Sequence, residues 1–204
     1  MHLGLYAGRQ WGAVGLRSGL AHSRHTMDTS RHVAFTGLSD TAQARYHARS
    51  TQLFGELGWQ MGAGASTLEP FANLAYVSLR TDGFQERGGL SALSGARQRT
   101  GTGMASLGVR ASTQWMAGRT PVTARGQLGW RHAMGDVASA APLAFAGGGA
   151  FSVSGVPVAR NTAVLELGLD MALQRNLTLG LAYSGQAGSD YREQGVKAQL
   201  LWKF

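Results

Sequence analysis

The segment Leu177-Thr178-Leu179-Gly180-Leu181-Ala182-Tyr183-Ser184 decides the fold. Its odd positions are large and apolar, and its even positions are small or polar. A period of two is the signature of a strand whose faces meet different surroundings. The last segment repeats it, with Val196, Ala198, Leu200, Trp202 and Phe204 on one side and Lys197, Gln199 and Lys203 on the other; Leu201 is the exception. Working back towards the N-terminus, the same alternation sets Leu165, Leu167, Leu169 and Met171 against Glu166, Gly168 and Asp170. It sets Leu128 and Trp130 against Gln127 and Arg131, and Leu107 and Val109 against Gly108 and Arg110. Leu53, Leu57 and Trp59 oppose Glu56 and Gly58, with Phe54 out of phase, and Leu74 and Tyr76 oppose Glu69 and Asn73, with Phe71 and Val77 out of phase. Val14, Leu16 and Leu20 oppose Arg17 and Gly19. Nine strands are predicted, near 2–9, 12–27, 46–61, 68–80, 101–116, 122–134, 162–173, 177–187 and 193–204.

The connections between them alternate in length. Gln10-Trp11, Gly62–Thr67, Ala117–Pro121 and Gln174–Asn176 are short; Asp28–Arg45, Thr81–Thr100, Gly135–Asn161 and Gly188–Arg192 are longer. An antiparallel up-and-down meander then has every short turn at one end and every long loop at the other, as in outer-membrane β-barrels. In such a barrel Trp59, Trp115 and Trp202 fall near the periplasmic strand ends and Tyr76, Trp130 and Tyr183 near the external ends. Those are the two levels of an aromatic girdle. The polar face carries Arg17, Glu56, Glu69, Arg110, Arg125, Arg131, Glu166, Asp170, Lys197 and Lys203, which would point into the lumen. They could grip a helix or a passing polypeptide, or simply solvate a wet interior.

Bulk composition fits this reading and removes others. The 204 residues include 30 glycines, 44% hydrophobic and 15% charged residues, and no cysteine. Disulfide scaffolds, thiolate metal sites and cysteine nucleophiles are therefore excluded. Mean hydropathy is −0.11, a value that alternating strands produce by averaging. No apolar run is long enough for a membrane helix, which takes about 18 residues or more. The net charge of +8 suggests nucleic acid, but no compact Lys/Arg-rich run accompanies it. Hydrolase, zincin and nucleotide-loop motifs are missing, so no catalytic residue, metal or cofactor is expected. His22, His25 and His32 cluster along one loop and read as solvated histidines.

Several stretches carry a further resemblance. Glu69-Pro70-Phe71-Ala72-Asn73-Leu74-Ala75-Tyr76-Val77, Asp82-Gly83-Phe84-Gln85-Glu86 and Gly129-Trp130-Arg131-His132-Ala133-Met134-Gly135-Asp136 are three of them. Gly155-Val156-Pro157-Val158-Ala159-Arg160-Asn161 and Gly195-Val196-Lys197-Ala198-Gln199-Leu200-Leu201-Trp202-Lys203-Phe204 are two more. Together, in order and spacing, they resemble the translocator domain of type V autotransporters over nearly the whole chain. The resemblance implies a Gram-negative outer-membrane location and a twelve-stranded barrel with a helix in its pore. It also implies an upstream passenger that the barrel helps to export. Val196, Ala198, Leu200, Trp202 and Phe204 look like the family's C-terminal signal to the barrel-assembly machinery. Against that pattern nine strands are counted, beginning at what corresponds to the fourth. The first three strands, pore helix and passenger would lie outside a partial domain spanning 1–204. The expected partners are outer-membrane lipid, the assembly machinery and the passenger, with no nucleic acid, for a monomeric protein that is not itself an enzyme. Two other readings stay open: a soluble β-sandwich binding module, and a fragment of an autotransporter whose passenger is an extracellular serine protease.

Overall fold

A computed structural model of the chain describes residues 1–189 and 191–203; Phe204, the last residue of the expected assembly signal, lies outside the described residues. The main sheet is antiparallel. Its strands are β1 (His2–Trp11), β2 (Val14–Phe35), β3 (Leu38–Trp59), β4 (Met61–Ala63), β5 (Ser66–Thr81), β8 (Gln98–Ala117), β9 (Thr120–Gly135), β12 (Asn161–Gln174), β13 (Leu177–Gly188) and β14 (Arg192–Trp202). Their order is β1-β2-β3-β5-β8-β9-β12-β13-β14, so each long strand lies beside its sequence neighbour. Short β4 continues the β3 register along β5, since Gly58 faces Phe71 and Met61 faces Leu68. A second, four-stranded sheet joins β6 (Phe84–Gln85), β7 (Leu93–Gly95), β10 (Ala140–Phe145) and β11 (Ala150–Ser154) in the order β11-β10-β7-β6.

The nine long strands match the nine read from alternation, because the signal came from side-chain phase. The connections differ. The first turn falls at Gly12-Ala13, beyond Gln10-Trp11, and Gly12 supplies the positive φ of 57°. The span Asp28–Arg45, read as a loop, is the outer part of a hairpin that turns at Thr36-Gly37. Asp28 and Arg45 are cross-strand partners joined by an ion pair of 2.7 Å. Thr81–Thr100 and Gly135–Asn161 are not wholly irregular either, because they build the second sheet.

The apolar face of the main sheet is bare. Leu74 is 67% exposed and Leu128 is 65% exposed. Among the described residues no large side chain is fully buried. A β-sandwich would bury these leucines between two stacked sheets; here they coat one side of a single curled sheet, which overturns the soluble-sandwich reading. The fold is that of an antiparallel transmembrane β-barrel, with nine long strands forming a half-barrel.

Candidate functional site: an ion network on the polar face

Alternation brings Arg17 of β2, Glu56 of β3, Glu69 of β5 and Arg110 of β8 to the same face. Arg17 and Glu56 are register partners, as are Glu69 and Arg110. The side chains also cross between pairs. One Arg17 guanidinium nitrogen donates to Glu56 Oε1 at 2.8 Å and to Glu69 Oε1 at 2.7 Å. Arg110 meets both Glu56 oxygens at 2.7 Å and approaches Glu69 Oε1 at 3.2 Å. The Arg17–Glu69 and Arg110–Glu56 contacts each bridge two strand spacings, roughly 10 Å.

The two carboxylates are 9% and 8% exposed, so their charge must be met by protein. The parallel fork between Arg110 and Glu56 meets it in the strong bidentate geometry. Arg110 Nε donates to Gln127 Oε1 at 2.8 Å, and Gln60 Nε2 donates to Glu69 Oε2 at 3.4 Å. Beneath the network the Arg110 guanidinium lies 3.9 Å from the centroid of the Phe71 ring, a cation–π contact. Two opposed pairs give zero net charge, and residues far apart in sequence are bound across four strands. The arrangement can hold the curvature of a sheet that has no dry core behind it.

The other expected polar-face residues divide. Arg125 and Asp170 form an ion pair across β9 and β12. Arg125 and Glu166 line a cavity of about 470 Å³ together with Glu69 and Arg110. Arg131 borders a second cavity of about 220 Å³ beside Glu56 and Arg110. Lys197 of β14 faces Ala182 of β13, and Lys203 lies just past β14, bonded through its backbone N–H to the Asn176 carbonyl. Neither lysine joins the network among the described residues. Of the girdle positions, Trp59, Trp115 and Trp202 lie on the apolar face beside short turns, while Tyr76, Trp130 and Tyr183 lie farther towards the long loops. Trp11, read as part of a turn, joins the first group opposite Val14, with Arg9 5.3 Å from its ring. His22 and His32 bond Thr51 and Thr41 on one face, whereas His25 lies against His2 on the other, so the three histidines do not converge.

Sequence reasoning missed Phe71, Gln127 and Gln60 as members of the site, and treated Phe54 and Phe71 as breaks in phase. Each of these phenylalanines faces a glycine across the strand, Gly19 and Gly108 respectively. A Cβ on either glycine would lie under 3.0 Å from the ring. The legible signal is an inward aromatic matched by a glycine on the neighbouring strand.

Similarity to known proteins agrees with this geometry. The autotransporter β-domain profile matches residues 1–184. Two proteins of Serratia marcescens named extracellular serine protease are 41% and 40% identical over 204 residues, all of this chain and 20% of each relative. The chain thus spans about a fifth of the length of those relatives. Among solved structures, the translocator domain of autotransporter NalP from Neisseria meningitidis superposes with a TM-score of 0.62 at 18% identity, covering 100% of this chain and 67% of that one. The β domain of the Bordetella autotransporter BrkA gives 0.55 at 21% identity, covering 100% and 72%; both likenesses are of fold. The chain belongs to the autotransporter β-domain family and is an outer-membrane translocator domain of the Gram-negative type.

Proposed function

We propose that this domain serves an upstream passenger that is an extracellular serine protease, and that it contributes no catalytic residue itself. The name shared by the two Serratia relatives supports the passenger's identity. The chemistry of the polar face supports the second part, since its best-defined site is a saturated ion network without a nucleophile. In this reading the polar face lines the translocation lumen. The Arg17–Glu56–Glu69–Arg110 network braces the wall, and Arg125, Arg131, Glu166, Asp170, Lys197 and Lys203 contact water or the transiting chain. Strands supplied from outside the described residues close the barrel against β1 and β14. Trp202 and its alternate partners Val196, Ala198, Leu200 and Phe204 engage the assembly machinery, and the apolar face with its girdle meets lipid.

The carrying observation is the pairing of a bare apolar exterior with a charge-neutral network on the opposite face. The test is expression of the complete gene in a Gram-negative host. The expected result is an outer-membrane protein that migrates faster on gels unless boiled, with a passenger open to externally added protease and active on peptide substrates. A folded barrel in the outer membrane with its passenger retained in the periplasm would refute the translocation role. Peptidase activity that survives removal of the passenger would refute the division of labour.

A further inference from the structure

Four arginines stand side by side on the apolar face. Arg24 of β2 faces Arg49 of β3, Arg49 faces Arg80 of β5, and Arg80 faces Arg99 of β8. Directly opposed like charges on neighbouring strands destabilise a sheet, and this row contains three such pairs in succession. All four side chains are exposed. Nearby acidic compensation is slight. Asp82 reaches Arg49 at 4.0 Å and neighbouring Arg97 at 3.9 Å. Among the described residues Arg24, Arg80 and Arg99 form no ion pair.

The height of the row identifies what it meets. In phase with Arg80 lies Tyr76, whose hydroxyl is 2.5 Å from where a Cβ on Gly101 would sit, two residues from Arg99. Arg80 is four residues beyond Tyr76 on the long-loop side, about 13 Å along the strand. At a barrel tilt of about 40° that is roughly 10 Å of height, from the level of girdle aromatics into the headgroup layer. Arg49, Arg80 and Arg99 line two adjoining concavities of about 320 and 380 Å³. Guanidinium forks match phosphate oxygens in a bidentate manner. Four strands in register span roughly 14 Å, enough for more than one phosphate of a single headgroup.

We propose that the Arg24–Arg49–Arg80–Arg99 row is a binding site for the phosphorylated headgroup of a glycolipid in the outer leaflet of the membrane. The site rests on the outer-membrane orientation described above. Bound phosphates neutralise the opposed charges, so the row is stable in the membrane and strained in neutral detergent.

The full-length protein bearing this domain, purified in uncharged detergent, is mixed with bis-phosphorylated lipid A or its dephosphorylated form, and retained lipid is counted by native mass spectrometry. Wild-type protein is expected to retain the phosphorylated lipid and release the other. The variant R24Q/R49Q/R80Q/R99Q should lose at least about tenfold in retention, and the single variant R80Q should show a smaller loss in the same direction. R80Q decides the matter should the quadruple variant fail to fold. Equal retention of both lipids, unchanged retention by R80Q, or displacement of the lipid by millimolar inorganic phosphate would overturn the proposal. Heat-dependent gel migration of every sample reports barrel folding separately, so failure of the lipid site is distinguishable from failure of the translocator reading.

Discussion

Phe71 and Gly108 face one another across β5 and β8, and the space above Gly108 is filled by the Phe71 ring. A Cβ at position 108 would lie 2.7 Å from the ring's Cζ and 2.7 Å from the Leu128 carbonyl oxygen. One neighbour is a backbone oxygen of the paired strand β9, so the pairing must shift as well as the ring, and the Arg110 guanidinium on that ring must follow. Gly108→Ala should therefore cost about 1–3 kcal/mol, read as a lower urea midpoint for loss of the fast-migrating gel species. Gly55→Ala on β3, where a Cβ would meet nothing within 4 Å, should leave that midpoint nearly unchanged. Glu56→Gln removes one of the two carboxylates shared by Arg17 and Arg110 and leaves Glu69, among the described residues, as the one acidic partner of two partly exposed guanidinium groups. With the arginines partly open to solvent, the expected loss is about 1–2 kcal/mol, again by urea midpoint, and Glu56→Gln combined with Arg110→Met should recover part of it. A loss in the double variant equal to the sum of the singles would refute the coupling. The charged members of this cluster were legible from phase alone. Their partners were not, because phase says which face a residue takes and not which side chain reaches it two strands away.

At the scale of elements the β2–β3 hairpin holds the largest difference between sequence and structure. Each arm has 22 residues, about twice what a tilted membrane crossing needs. Pairing with β5 covers β3 only from Ala48 to Gly58, so the outer half is paired with β2 on one side and has no main-sheet strand on the other. Its polar composition suggested a loop, yet Ala42, Ala44 and Ala48 are buried at period two. Small side chains carry little hydrophobic signal, and their burial depends on a distant segment, residues 84–92. That segment is latched to the hairpin. Gln43 and Arg87 exchange backbone hydrogen bonds, and Tyr46 stacks on Phe84 at 4.8 Å. Arg31 donates to Glu86 at 2.6 Å. The Asp40 carboxylate accepts from the Ser91 hydroxyl and from the backbone N–H groups of Ser91 and Gly89. Those donors, the Ser91 hydroxyl foremost, hold the Asp40 carboxyl down to about 2. Burial raises Glu86, but the Arg31 guanidinium and the Leu93 N–H outweigh it and leave its pKa below the ordinary value. Both shifts are depressions, so the latch is at full strength above the ordinary carboxylate range near 4 and weakens as pH falls through the folded-state values. Hydrogen exchange of residues 84–93 should stay slow at pH 7 and pH 5 after correction for intrinsic rates, and quicken between about pH 4 and pH 2. Asp40→Asn should bring fast exchange to neutral pH.

The described residues enclose no large fully buried side chain, so the stability of the molecule has to come from somewhere other than a dry core. Its meander order and its two-faced strands could be read in the sequence, since each repeats along the chain, whereas the sorting of turn lengths failed at β2–β3, whose connection is the two residues Thr36-Gly37. The arginine row could not: Arg24, Arg49, Arg80 and Arg99 come together only once three hairpin registers are fixed. With leucines bare on one face, transfer of that face from water to hydrocarbon is the available driving force, at about 25 cal/mol for each Å² removed from water. The 204-residue chain diluted from urea into zwitterionic micelles should therefore gain strand signal by circular dichroism, whereas dilution into buffer should give aggregates. A soluble, cooperatively folded monomer in buffer would contradict the exterior assigned here. A second consequence concerns the edges. Among the described residues β1 and β14 each pair on one side only, and an unpaired backbone group in hydrocarbon costs several kcal/mol. In micelles of this chain alone, amides of Leu3–Gly8 and Gly195–Leu200 that bond to no neighbouring strand should exchange quickly, while those of β5 and β8 stay protected. Adding the segment that precedes this domain in the complete protein should slow both edges together, because strands that close a barrel must pair with its first and last members at once. Protection gained at one edge and not the other would mean that the added segment extends the sheet without closing it.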